Sequence, residues 1–119
     1  MEHTTKDLTV WNGERGKTYF YQSELPYSAT AAEFGAPGYC GYRVAPHVKE
    51  HGGWGVGVYS FFRDHNVTVQ SGIVCPAALE KSFVAPLAVF LNGHGGFRHV
   101  LNDKGHASFG PATSVNYVC

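Results

Sequence analysis

Charged side chains are scarce in this chain: Lys, Arg, Asp and Glu supply 15% of its 119 residues, against about 25% in an average domain. Nine cations balance nine carboxylates, and there is no run of Lys or Arg. That argues against a nucleic-acid partner, because neutralising phosphates takes a basic excess. Long apolar runs are missing too. No stretch approaches the roughly 18 residues of a membrane helix, so no membrane partner is expected. The first residues, MEHTTKD, lack the apolar core of a secretory leader. Either a leader has been removed, or the protein is exported by another route, or it stays inside the cell. Cysteine is sparse and odd in number, with Cys40, Cys75 and Cys119. At least one is then free or pairs between chains, and no C-x-x-C spacing supports a zinc or thioredoxin-type site. No G-x-S-x-G elbow is present. The glycine-rich GHGG at 93–96 lacks the Lys-Ser/Thr of a phosphate loop, and reads as a hairpin turn or inter-strand corner.

What the chain does have is glycine, at 15 residues, and aromatics, at 14%. With so little charge, that excludes disorder and a coiled coil and points to an all-β globular fold. The length fits one domain spanning 1–119. Zero net charge near neutral pH favours self-association, so a homo-oligomer is a candidate state.

Strand patterns dominate. LTVW (8–11) runs to an Asn12-Gly13 turn. TYFYQS (18–23) puts Tyr19 and Tyr21 on one face and Phe20 and Gln22 on the other, before Pro26 stops pairing. A short strand is expected near Tyr42–Val44, a longer one over 53–62, and another over 67–76, broken near Gly72. Gly55 and Gly57, in alternation, suggest a ring or backbone close against that face. The segments 29–34 and 77–83 read as single helical turns, and 46–53 as a loop or one turn. The segment 86–103 reads as strand, glycine turn, strand. Six to eight short strands with frequent turns fit a β-sandwich, a barrel or stacked rungs, and no internal sequence repeat stands out.

WNGERGKTYFYQSELPY (11–27), GYRVA (41–45), GWGVGVYSFFRDH (53–65), VFLNG (89–93) and HVLND (99–103) form an ordered set. The set resembles the C-terminal region of large secreted fungal and actinobacterial proteins of the parallel β-helix, glycoside-hydrolase type. Some of these carry a coagulation-factor-like or adenylyl cyclase label, and nothing in these residues supports a cyclase. The resemblance covers the chain from about Leu8 onward. It implies a short right-handed parallel β-helix-like stack, with a β-sandwich as the alternative, and an extracellular, polysaccharide context. Those relatives are several times longer, so a free-standing piece can keep the fold and lose the chemistry.

Candidate site residues follow from that context. A glycosidase needs two carboxylates about 5–10 Å apart. Glu24 and Asp64, each after a strand end, are the best pair. Flat sugar faces stack on aromatic rings, and Tyr19, Tyr21, Tyr27, Trp54 and Tyr59 are the candidate ligand-binding residues, with core packing as the competing role. His47 and His51 have i, i+4 spacing, but Pro46 and Gly52-Gly53 leave little room for a helix, so no metal site and no cofactor are expected. The leading expectation is a non-catalytic, secreted protein that binds a polysaccharide or oligosaccharide through exposed aromatics. A glycoside hydrolase is the second reading, and a structural, self-assembling protein with no small ligand the third.

Overall fold

The computed structural model describes residues 1–118. Ten strands form: β1 (Thr9–Trp11), β2 (Gly16–Tyr19), β3 (Gln22–Glu24), β4 (Tyr42–Val44), β5 (His51–Trp54), β6 (Gly57–Val74), β7 (Phe83–Val84), β8 (Leu87–Leu101), β9 (Ser108–Phe109) and β10 (Ser114–Tyr117). Among the described residues the fold is all-β, with two short helical turns. The first, a π-type turn at Ala31–Gly35, starts on a capping box between Thr30 and Glu33. The second is a 3-10 turn at Ala77–Ser82.

Pairing is parallel except at the end of the chain, and it stacks strands in three columns. β1 lies on β4, which lies on the end of β6 and, through it, on the end of β8. β2 lies on β5 and β5 on β7. β3 lies on the start of β6, and β6 on the start of β8. Among the described residues, the antiparallel pairing that a β-sandwich would use is confined to β9 and β10 against β8 and an isolated Leu101–Lys104 bridge. Inward-facing side chains of the columns make one core: Tyr42, Val58, Phe62, Val69, Ile73 and Phe97 are all fully buried.

The corners explain where the sequence reading failed. TYFYQS is not one strand. Phe20 takes a left-handed conformation (φ 52°) and separates β2 from β3. Gly55 (φ 65°) ends β5 and Ala85 (φ 50°) ends β7 in the same way. The three corners stack: Phe20 N–H donates to Trp54 O at 2.8 Å, and Gly55 N–H donates to Val84 O at 2.9 Å. Tyr19 and Tyr21 therefore do not share a face. The expected strand over 53–62 is cut at Gly55 for the same reason. The expectation of a close ring there holds, since a Cβ on Gly55 would meet the Phe20 ring at 3.6 Å.

The glycine stretch at 93–96 is a corner rather than a hairpin. β8 passes through it, and both halves of β8 stay parallel to β6.

Cys40 and Cys75 are free, buried thiols. Burial pushes Cys40 up to about 12 and Cys75 up to about 11. Cys119 lies outside the described residues. With Cys119→Ser in place, a thiol reagent at neutral pH should leave the native protein unlabelled and modify both thiols once denaturant is added. Rapid labelling of the native variant would contradict the burial.

Candidate functional site

The sequence candidates fall into two separate places, apart from Tyr21, which packs on the core. Glu24 is the last residue of β3 and pairs in register with Tyr59. Its carboxylate Oε2 accepts a hydrogen bond from the Tyr27 hydroxyl at 2.8 Å. His3 Nε2 lies 3.8 Å from the same oxygen, and its ring packs edge-on to Tyr27 at 4.2 Å. The first residues are brought there by the backbone, with Glu24 N–H donating to Met1 O and His3 N–H to Glu24 O. Nothing in the local sequence signals that bridge. Glu24 Oε1 has no protein hydrogen bond among the described residues. The bond to Glu24 raises the Tyr27 phenol above its ordinary value, because losing the proton would set two anions side by side.

Tyr27 continues the wall toward Asp64. Its ring packs on Phe61 at 5.0 Å, and the Arg63 guanidinium carbon sits 5.9 Å from its centroid. Arg63 donates to both oxygens of Asp64 at 3.1 Å, and the Ser28 hydroxyl donates to Oδ2 at 2.7 Å. The Arg63 bonds, with Ser28, hold the Asp64 carboxyl down at about 2. Asp64 is therefore a firmly ionised carboxylate with both oxygens engaged, whereas Glu24 keeps one oxygen open. Two hollows flank this wall. One, of about 640 Å³, is lined by His3, Pro26, Tyr27, Phe34, Tyr39 and Arg63 among others. A smaller one, of about 220 Å³, takes in Glu24, Gln22, Tyr59 and Leu91. His3, Phe61 and Arg63 are the neighbours that sequence reasoning missed.

Tyr19 and Trp54 lie elsewhere, on the outer face of the β2-β5-β7 sheet. Their rings stack at 4.8 Å with 12° between planes, and Tyr19 is 60% exposed. Tyr21 turns inward and packs on the core. Its hydroxyl donates to Gly41 O at 3.1 Å and meets the Thr9 hydroxyl at 2.7 Å. His47 and His51 are not on a helix. His51 is buried in β5, while His47 is exposed and contacts Asn12 O through Nε2 at 2.9 Å.

No family model matches the chain. It is 38% identical, over 99% of its length, to an exo-beta-1,3-glucanase of Streptomyces sp. (strain SirexAA-E / ActE). The chain is related in sequence to part of a glycoside hydrolase. It spans about a fifth of that relative's length, 20%. The structure of sacteLam55A from Streptomyces sp. SirexAA-E superposes with a TM-score of 0.88 at 35% identity, over 98% of this chain and 22% of that one. A glutamate-to-alanine variant of sacteLam55A in complex with glucose gives the same TM-score, 0.88, at 36% identity and over the same shares of the two chains. The sequence resemblance to glycoside-hydrolase-type proteins thus meets a bacterial glucanase.

Proposed function

We propose that this chain is a secreted, carbohydrate-binding relative of glucan-degrading enzymes, and that it holds a β-1,3-linked glucan against Glu24, Tyr27 and Tyr59. The observation that carries the reading is the Glu24 carboxylate, with one oxygen fixed by Tyr27 and the other open, in a chain similar along its length to part of an exo-beta-1,3-glucanase. An open carboxylate oxygen accepts sugar hydroxyls, and the neighbouring rings offer apolar faces to the sugar's C–H groups. The three parallel columns support reading the fold as a short right-handed parallel β-helix, which places this wall along one side of the stack. Glycoside hydrolysis is the second reading, because Glu24 and Asp64 lie at two ends of one hydrogen-bonded and stacked series through Tyr27 and Arg63. The three hydrogen bonds that Asp64 accepts weigh against it, since they hold its basicity down and a general base or nucleophile works through a basic lone pair.

Binding is tested by retention on insoluble β-1,3-glucan, α-glucan and chitin, with reducing sugar assayed in the supernatant. Retention on β-1,3-glucan without sugar release is the expected result. Glu24→Gln should weaken it about tenfold, the scale of one charge-assisted hydrogen bond. Sugar release by the native chain but not by Glu24→Gln would establish the hydrolase reading instead. Failure to be retained on any of the three, with no sugar released, would end both.

A further inference from the structure

We propose that a second site, on the β2-β5-β7 sheet, binds a saccharide carrying an anionic group, a carboxylate or a sulfate ester. A groove of about 610 Å³ runs along the start of these strands, and Arg15, Lys17, Glu50, Trp54, Lys81 and Ser82 are among the residues that line it. Three of the chain's nine cations converge there, in a protein of zero net charge. None of the three forms an ion pair among the described residues. Among the described residues, Glu50 is the single carboxylate in the lining. The nearby Glu14 is already taken, its oxygens accepting the backbone N–H groups of Lys49 and Glu50.

The geometry suits a sugar ring with a charge on its edge. Trp54 lies on the central strand with its indole stacked on Tyr19, and the ring reaches over Gly52, where a Cβ would come within 2.7 Å of it. Lys17 pairs in register with Gly52 and so emerges beside the indole on one flank. Lys81 and Ser82 arrive on the other flank, just before β7. Arg15 stands at the head of the groove in a left-handed conformation (φ 59°), immediately before Gly16, a residue type that adopts it at no cost. Below the same lining, His51 is 6% exposed, and its Nδ1 is a buried atom with no hydrogen-bond partner. The stacked Tyr19–Trp54 pair makes an aromatic plate beside two ammonium groups, and it offers apolar surface to a sugar ring and cations to its anionic substituent together. Neutral glucan would use the plate alone.

The test is calorimetric titration of the intact chain with four tetrasaccharides: a uronic-acid oligomer, its carboxyl-reduced form, a sulfated oligomer and a neutral β-1,3-glucan. The uronate or the sulfated oligomer should bind more tightly than the carboxyl-reduced oligomer, and the tighter of the two identifies the anion; the neutral β-1,3-glucan reports on the Glu24 wall. Added salt should weaken the acidic ligand selectively. The double substitution Lys17→Glu with Lys81→Glu changes two exposed side chains and should lower acidic-ligand affinity by roughly tenfold or more. Tyr27→Phe, at the other site, should leave that affinity unchanged. Binding of neither acidic oligomer more tightly than the carboxyl-reduced one, or unchanged affinity in the double variant, would overturn the proposal. These residues are distinct from the Glu24 wall, so loss of glucan retention and loss of acidic-ligand binding are separately observable.

Discussion

Gly95→Ala should destabilise the protein by more than about 3 kcal/mol, lowering its melting temperature by about 10 °C or more, or prevent soluble folding altogether. Gly95 is the pivot of the corner inside β8, with φ 74°. A Cβ there would collide with the Val67 carbonyl oxygen and lie 2.7 Å from its carbonyl carbon. Both belong to backbone of the adjacent parallel strand, so no rotamer change relieves the clash. Phe62, Val67, Val69 and Phe97, all fully buried, lie in the strands on either side of this corner. Shifting the corner therefore disturbs the core as well. Gly38→Ala is the control. Its φ is 78°, but no atom lies within 4 Å of the added Cβ. It should cost only the conformational penalty of about 1–2 kcal/mol. Thermal melts of the two variants separate the effects, and equal losses would show that the steric argument at Gly95 is wrong.

Tyr42 carries the second large effect. It is the largest fully buried side chain, edge-on to Tyr21 and Phe83. Its hydroxyl lies 2.6 Å from the Thr18 hydroxyl and 2.7 Å from His51 Nε2. Tyr42→Ala should cost about 3–5 kcal/mol through the cavity it leaves. Tyr42→Phe keeps the ring but strips Thr18 and His51 of a partner, and should cost about 1–3 kcal/mol. Measured by urea unfolding, a neutral Tyr42→Phe would refute the network.

The same network makes stability fall on mild acidification. Burial lowers the pKa of His51 below its ordinary value. Between that lowered value and about 6.5, the unfolded chain binds a proton that the folded chain refuses. The contribution of a neutral His51 is therefore complete above about pH 6.5 and is lost as pH falls through this window. The shifted carboxylates, Glu14, Asp64, Glu80 and Asp103, are all lowered from values of 4.5 or 3.8, so their losses come at more acid pH. Urea midpoints should drop between about pH 7 and pH 5 in the native chain, and drop less in His51→Phe. An unchanged slope in that variant would move the acid sensitivity elsewhere.

The sequence by itself determined a good deal. Sparse charge with abundant glycine and aromatics meant an all-β chain. The strand at Tyr42–Val44 and the turns near 29–34 and 77–83 were visible because each is set by residues close in the chain, as Gly35 closes the first turn. Tertiary structure decided which residues became corners. Alternation placed Tyr19 and Tyr21 on one face, but it cannot show that Phe20 must turn left-handed to stack on Gly55 and Ala85. That requirement comes from partners some thirty residues away, fixed by parallel register rather than by neighbours along the chain. The same long-range stacking brings His3 to Glu24 and gathers Arg15, Lys17 and Lys81 into one groove. In parallel pairing, a residue's side-chain neighbours belong to the next turn of the chain, so neither site is written in any contiguous stretch.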